Sequence, residues 1–86
     1  MNAKIQYPQT FEIKLVVSAE QNQNDTKTRI SNILSNCKVI HSFSSIHSST
    51  RGNYLSYAYK VTIDSKEHLD TTYAAFRQLP GLKFVL

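Results

Sequence analysis

The residues that could do chemistry in this chain are few, and the three histidines are the first to consider as metal ligands. His41 and His47 fall six residues apart in one predicted strand, which would separate them by roughly 20 Å. His68 falls in the first turn of a predicted helix. Because a zinc site needs three or four converging ligands, we predict surface or half-buried histidines, no metal and no cofactor.

Two other groups of reactive side chains have structural explanations. Asp64, Glu67 and Asp70 could hold a cation, but a helix start favours negative charge through its dipole and its capping bonds. Cys37, the single cysteine, could be a nucleophile, yet the sequence assigns it no histidine partner. A small apolar residue at a helix end explains it better. We therefore predict that the chain is not an enzyme.

The stretch over residues 48–54 is the first candidate binding surface. Its arginine and its hydroxyl side chains could hold an anion, and Asn53-Tyr54 could shape a small pocket. The alternative is an ordinary polar hairpin in which asparagine makes local backbone bonds, and the sequence favours that alternative. The candidate binding residues are Ser48, Ser49, Arg51, Gly52, Asn53 and Tyr54.

The outward side of the predicted sheet is the alternative binding surface, with Lys14, Tyr54 and Lys60 as its candidate residues. Aromatic and basic residues on a four-stranded sheet are typical of RNA-recognition modules. The third predicted strand offers one outward tyrosine, however, and the two aromatic-rich ribonucleoprotein motifs are missing. A solvated face or a dimer contact is therefore favoured over nucleic acid.

The elements that would position these residues are predicted from the periodicity of apolar side chains. Alternation predicts strands over residues 10–18, 39–47, 54–63 and 82–86. In the second strand, the odd-numbered residues from Val39 to Phe43 should share one face. The other face of that strand should carry Ile40, Ser42, Ser44 and Ile46.

Two helices are predicted between the strands. Asn24 or Asp25 can cap the first helix, and Asp64 can cap the second, with Glu67 reaching back in a capping box. Pro80-Gly81 should end the second helix. Apolar residues three and four positions apart line the two helices, namely Ile30, Ile33, Leu34 and Cys37 in the first and Leu69, Tyr73, Phe76 and Leu79 in the second.

The order of these elements is βαββαβ, which predicts an α+β, ferredoxin-like sandwich. The four strands should form an antiparallel sheet in the order 4-1-3-2, with both helices on one face. Residues 10–86 should form this single domain. Residues 1–9 are polar and contain Pro8, which predicts a loose N-terminal arm.

Charge and composition exclude few function classes. The chain has 86 residues and a formal net charge of +4, and its ten basic residues are scattered along it. A dedicated nucleic-acid binder usually clusters its charge. A single cysteine cannot form an internal disulfide, and no signal peptide or long apolar segment is recognisable. We therefore expect a cytoplasmic protein with no membrane partner.

The chain resembles the YbeD-like family of small bacterial proteins of unknown function over nearly its whole length. The residues that carry the resemblance are Pro8, Phe11 and Lys14, the stretch Ser48-Ser49-Thr50-Arg51-Gly52-Asn53-Tyr54 with Ser56, the spacing to Tyr73, and the terminal Val85-Leu86. The resemblance implies a ferredoxin-like fold similar to ACT regulatory domains, which sense amino acids at subunit interfaces. It also implies a regulatory role and a link to lipoate metabolism. The family often places a glycine just after the first strand, where this chain has Val17-Ser18-Ala19.

The function that we predict is therefore a non-enzymatic regulatory or ligand-sensing module resembling ACT domains. Its partner would be a protein or a small-molecule effector, and it could act as a homodimer. The alternative is a weak nucleic-acid-binding protein that uses the outward sheet face.

Overall fold

The computed structural model describes residues 6–86, in which two helices and four strands alternate. The elements are β1 (Gln9–Ser18), α1 (Gln23–Asn36), β2 (Ile40–Ser48), β3 (Tyr54–Ile63), α2 (Lys66–Phe76) and β4 (Leu82–Val85). The strands form one antiparallel sheet in the order β2-β3-β1-β4. The predicted α+β, ferredoxin-like architecture and strand order are thus confirmed.

The N-terminal segment joins the sheet slightly earlier than predicted. Strand β1 begins at Gln9 instead of residue 10, and Tyr7 packs against the hydrophobic core. Residues 1–5 of the predicted arm lie outside the described residues. The division into a loose arm and a single domain remains a prediction.

The hydrophobic core lies between one face of the sheet and the two helices. Alternation along β1 and β3 turns every second residue toward the helices, because successive side chains of a strand point to opposite faces. The buried residues that share this core are Ile13, Leu15 and Val17 of β1, Leu55, Tyr57, Tyr59, Val61 and Ile63 of β3, Ile30 and Leu34 of α1, and Phe76 of α2.

The opposite side of the sheet, which we call the open face, is covered by no helix within residues 6–86. Lys14, Lys60 and Tyr54 are exposed there. The neighbouring pairs that β1 and β3 place on this face are Ser18–Tyr54, Val16–Ser56, Lys14–Ala58, Glu12–Lys60 and Thr10–Thr62. The open face is therefore mixed in character, whereas the face toward the helices is almost wholly apolar.

Strand β2 contains a bulge that its alternating sequence does not predict. Its pairing with β3 shifts by one residue between Phe43 and Ser45. The extra residue moves Ile46 to the core side and His47 to the open face. The prediction that Ile46 shares a face with Ile40 was wrong for this reason, and the two histidines of the strand lie on opposite faces.

The cap of helix α1 lies two to three residues earlier than predicted. Asn22 is its N-cap, and the side chain of Asn22 accepts a hydrogen bond from the Asp25 N–H at 3.0 Å. The prediction of Asn24 or Asp25 as the cap was wrong, because both residues already lie inside the helix. A cap needs extended backbone, and Asn22 has it, with a ψ of 129°.

Helix α2 is capped by Ser65, so the prediction of Asp64 was also wrong. The hydroxyl of Ser65 accepts from the His68 N–H at 3.0 Å. The helix ends at Phe76, before the predicted stop at Pro80-Gly81. A single turn follows, closed by a bond from Leu79 N to Phe76 O at 2.9 Å, and it keeps Leu79 in the core.

Candidate functional site

Hydrogen bonds between Ser49 and other residues of the same turn stabilise the hairpin between β2 and β3. Its N–H donates to Tyr54 O at 2.9 Å, and its hydroxyl accepts from Tyr54 N at 3.1 Å. Gly52 N donates to Ser49 O at 2.9 Å. Gly52 has a φ of 73°, a left-handed conformation that glycine adopts without a Cβ penalty. The hydroxyl of Ser48 donates to Ser49 O at 3.2 Å, so both serines are used within the hairpin.

The hairpin meets the loop that follows β1, and an open cleft lies between them. The Ala19 N–H donates to Asn53 O at 2.9 Å, which ties the two loops together. The cleft has a volume of about 480 Å³ and is lined by Ser18, Ala19, Glu20, Gly52, Asn53, Tyr54 and Lys83. We call it the loop cleft. Its volume lies within the range typical of small-molecule sites.

The structure divides the predicted hairpin residues between two places. Gly52, Asn53 and Tyr54 line the loop cleft. Arg51 and Ser49 instead line a smaller depression of about 290 Å³, which shares Asn53 and Tyr54 with the cleft. The hairpin stretch is thus not one continuous pocket.

Four residues of the loop cleft were missed by the sequence analysis. Ser18 is the last residue of β1, Ala19 and Glu20 belong to the loop after it, and Lys83 comes from β4. The signal that could have found the first three was the predicted topology, because an antiparallel neighbour places the end of β1 beside the start of β3. Lys83 had no such signal, since it lies where the β1–β4 register shifts.

Close packing behind the loop cleft depends on Gly81, which lies in the turn before β4. Ser18 N donates to Gly81 O at 2.9 Å. A Cβ added at Gly81 would lie 2.6 Å from Cγ of Gln21, and its φ is 76°. The family resemblance places a glycine in the loop after β1. In this chain the glycine that allows close approach to that loop comes from the other side, before β4.

Charge in the loop cleft is balanced. Glu20 and Lys83 both line it and are both exposed, and neither forms an ion pair within the described residues. A carboxylate and an ammonium group are therefore available in the same cleft. Such a pair can bind a ligand that carries both charges.

The open face holds the other predicted residues, and the structure adds two more to them. Phe84 pairs with Val16 and is 52% exposed. Leu86 exchanges two backbone bonds with Lys14, at 2.8 and 3.1 Å, and it is also exposed. Neither residue was predicted from the sequence, because alternation alone does not say which side of a short last strand faces the helices.

His68 and Cys37 are in contact, but through the backbone of the cysteine. His68 Nε2 lies 2.7 Å from Cys37 O, and His68 Nδ1 accepts from the Asp64 N–H at 3.0 Å. The proton of the neutral ring is therefore on Nε2, which donates to the carbonyl. This contact joins the end of α1 to the start of α2, and the thiol of Cys37 is not its partner.

The acidic residues around the start of α2 share no partner among the described residues. Asp70 lies 3.5 Å from Lys66 Nζ. The carboxylate of Asp64 lies 3.9 Å from His68 Nδ1, but that nitrogen accepts from the Asp64 N–H and offers the carboxylate no proton. Within residues 6–86, no group of three or more His, Cys, Asp or Glu side chains is arranged to hold a metal ion.

Neither of the two helices seen in residues 6–86 has the length and apolar character needed to cross a bilayer.

Solved structures that share this fold have little sequence in common with it. The protein HP0495 from H. pylori superposes with a TM-score of 0.72 at 11% identity, over 99% of this chain and 88% of that one. The ACT domain of the GTP pyrophosphokinase of Chlorobium tepidum gives a TM-score of 0.60 at 16% identity, covering 90% and 94%. The C-terminal domain of the MgtC protein of Mycobacterium tuberculosis gives 0.60 at 15%, covering 98% and 89%. These likenesses show an ACT-like ferredoxin fold.

Comparison of the sequence with one relative and with a family model identifies the family of this chain. A UPF0250 protein of Shewanella amazonensis is 42% identical over 38 residues, which are 44% of this chain and 43% of that relative. The match therefore spans less than half the length of the relative. A family model described as "Protein of unknown function (DUF493)" matches residues 2–86. The chain therefore belongs to this family of unknown function, which agrees with its resemblance to YbeD-like proteins.

Proposed function

We propose that this chain is a non-enzymatic regulatory module that binds a small zwitterionic molecule in the loop cleft. The observation that carries the proposal is the presence of Glu20 and Lys83 in one cleft of about 480 Å³. The likeness to an ACT domain supports a sensing role. Fold alone does not fix function, so the proposal depends on the charges of the cleft.

Both charged groups of an α-amino acid would have an oppositely charged side chain to bind in the loop cleft. The Lys83 ammonium would bind the carboxylate, and the Glu20 carboxylate would bind the amino group, both through charge-assisted hydrogen bonds. The Asn53 amide and the Ser18 hydroxyl can both donate and accept. The Tyr54 ring supplies an apolar wall for the ligand side chain.

A lipoate-related compound would use the same cleft differently. Such a molecule carries one carboxylate and no amino group, so Lys83 and the ring of Tyr54 would bind it without help from Glu20. This difference separates the amino-acid proposal from the lipoate link that the family resemblance implies. Each ligand class therefore predicts its own pattern of variant effects.

The test is an amide chemical-shift titration of the full chain with single amino acids and with lipoate. We expect specific shifts at Ala19, Glu20, Asn53 and Lys83. Glu20→Gln should abolish the response to amino acids and spare any response to lipoate, whereas Lys83→Gln should abolish both. Lys66→Gln, on the exposed side of α2, is the control and should change neither. Absence of any specific shift at millimolar ligand would contradict the proposal.

The bound module would then act on a protein partner or as a homodimer. Sedimentation velocity, with and without a ligand that shifts the cleft amides, measures whether the chain forms a homodimer. Capture from a native extract by the wild-type chain and by Lys83→Gln measures whether it binds a protein partner. We expect the ligand to change one of these two associations, and no change in either would argue against a regulatory role.

A further inference from the structure

The open face carries two exposed aromatic rings and three lysines. Tyr54 is 41% exposed and Phe84 is 52% exposed, and the basic residues on or beside this face are Lys14, Lys60 and Lys83. We propose that this face binds single-stranded RNA, with bases stacked on the two rings and phosphates held by the lysines. This second binding activity differs from the one proposed for the loop cleft in its ligand, although the two surfaces share Tyr54 and Lys83.

The two rings offer separate stacking positions. Phe84 of β4 is aligned with Val16 of β1, and Val16 with Ser56 of β3. Tyr54 lies two residues from Ser56 on the same side of β3. Two strand spacings and two residue spacings place the Cα atoms of Phe84 and Tyr54 about 12 Å apart. Between them, Val16 and Ser56 form a low surface that a base can cross.

The charge of the face suits a polyanion. Lys14 and Lys60 lie on neighbouring strands, one pair apart, with Cα atoms about 8 Å apart. None of the three lysines forms an ion pair within the described part of the chain. The acid among the strand residues of this face is Glu12, which is the cross-strand neighbour of Lys60 and whose carboxylate accepts from the Ser44 hydroxyl at 3.3 Å. Lysines without partners are free to neutralise phosphates.

The same charges disfavour a second copy of the chain on this face. In a two-fold dimer the same patch faces itself. The lysines of one copy would then lie near the lysines of the other, which costs free energy where the charges are desolvated. An RNA strand brings negative charge and flat bases together, and both match the residues present.

Hydroxyl and imidazole groups on this face favour RNA over DNA. Ser56 and His47 are paired across β3 and β2, in the row that also contains Val16 and Phe84. A ribose 2′-hydroxyl can donate to or accept from such groups, and deoxyribose has no equivalent.

The experiment is fluorescence anisotropy of the full chain with a labelled single-stranded RNA of mixed sequence, at two salt concentrations. If three phosphates are neutralised, log K should fall with log salt at a slope of about −2. A fourfold rise in salt should then weaken binding roughly 15- to 20-fold. Absence of binding at the lower salt, or a slope near zero, would overturn the proposal.

A pair of charge variants tests the lysines. Lys60→Glu should weaken RNA binding and make the salt slope shallower by about 0.7. Lys66→Glu makes the same charge change on α2, where the side chain is exposed, and serves as the matched control. Equal effects of the two variants would show that only net charge matters and would overturn the placement on the open face.

A pair of variants at Phe84 tests stacking. Phe84→Leu keeps an apolar side chain but removes the ring, and it should weaken RNA binding about fivefold or more. Phe84→Tyr should retain binding. If Leu and Tyr behave alike, the ring does not stack on a base and the proposal fails.

Three further arms separate the alternatives. The DNA strand of the same sequence should bind more weakly, and equal affinity would overturn the assignment to RNA. A dimer in sedimentation that Phe84→Leu abolishes, without RNA binding, would show that a second copy occupies the face. Glu20→Gln should not weaken RNA binding, because it removes a negative charge beside Lys83. Lys83→Gln should weaken both activities, so Glu20→Gln is the variant that separates this proposal from the one for the loop cleft.

Discussion

The two faces of strand β3 differ sharply in exposure and character. Tyr59 on the helix side is 2% exposed, whereas Tyr54 on the open side is 41% exposed. The same ten-residue strand thus supplies residues to the core and exposed side chains to the open face. Under the proposed RNA binding, stability and recognition would depend on opposite sides of one sheet. Substitutions on the two sides should therefore have different consequences.

The largest expected contrast is between two phenylalanines. Phe76 is fully buried between α2 and the sheet, whereas Phe84 is 52% exposed on the open face. Phe76→Ala should lower the free energy of unfolding by about 3–5 kcal/mol, because it removes buried apolar surface and leaves a cavity. Phe84→Ala should cost about 1 kcal/mol or less. Urea denaturation measures both.

A small domain has only about 5–15 kcal/mol of stability to lose, so Phe76→Ala could prevent folding altogether. Phe76→Leu keeps most of the volume and serves as the milder variant, with an expected loss of about 1–1.5 kcal/mol. Equal losses for Phe84→Leu and Phe76→Leu would break the comparison, since the open face would then contribute to stability as the core does.

The two tyrosines of β3 give the second contrast, which depends on pH. Burial, with a smaller contribution from the charge of Tyr57, raises the pKa of Tyr59 from 10.0 to about 12. The unfolded chain therefore loses this proton first as the pH rises. The contribution to stability is complete below pH 10 and is lost as the pH approaches 12, at up to about 1.4 kcal/mol for each pH unit.

Urea denaturation across this alkaline range tests the effect. Tyr59→Phe should reduce the alkaline loss of stability, and Tyr54→Phe, on the open side, is the matched control that should retain it. Burial also raises the pKa of Tyr57 and of Tyr73, so part of the loss should remain in Tyr59→Phe. Parallel pH curves for the wild type and Tyr59→Phe would contradict the prediction.

The sequence predicted the central strands well because their side chains alternate without interruption. In β1 and β3 the alternating residues Ile13, Leu15 and Val17 and the odd-numbered residues 55–63 are buried against the helices, and this alternation distinguishes the core side from the open face. Val16 and Ala58 are also buried, although they lie on the open face. The faces on which the β2 residues after Phe43 lie were not predicted, because a bulge adds a residue without any change in composition. Alternation cannot detect such an insertion.

The helix starts show a second limit of sequence reasoning. Ser65 and Asp64 are both good cap residues, and only the backbone decides between them. Asn22, which caps α1, is likewise one of several polar residues in a row. The residue that caps each helix is the one at which tertiary packing allows extended backbone before the helix. No local sequence pattern encodes that position.

Only part of the loop cleft could be predicted from the sequence. The hairpin residues Gly52 and Asn53 were found from turn chemistry, which is local. Glu20 and Lys83 come from distant parts of the chain, and Lys83 lies at a register shift between β1 and β4. A site that is assembled from loops becomes visible only when the register of every strand is known.

The smallest expected difference in stability is between substitutions at the two glycines beside the loop cleft. Gly52 has open surroundings, and Gly81 has packed ones. Both have positive φ, at 73° for Gly52 and 76° for Gly81, but an added Cβ meets nothing within 4 Å at Gly52 and meets Gln21 Cγ at 2.6 Å at Gly81. Left-handed backbone costs a residue with a Cβ about 1–2 kcal/mol. Gly52→Ala should show this cost alone, and Gly81→Ala should lose roughly 1 kcal/mol more because Gln21 must move.

A double-mutant cycle isolates the extra cost at Gly81. Gln21→Ala removes the atoms that the new Cβ would meet, so the pair Gly81→Ala with Gln21→Ala should lose less stability than the sum of the single changes. The pair Gly52→Ala with Gln21→Ala should instead be additive, because the added Cβ at Gly52 meets no atom of Gln21. Additivity in both pairs would mean that Gln21 yields freely. The side chain of Gln21 would then contribute nothing to holding the loop after β1, and the backbone bonds from Ser18 to Gly81 and from Ala19 to Asn53 would remain.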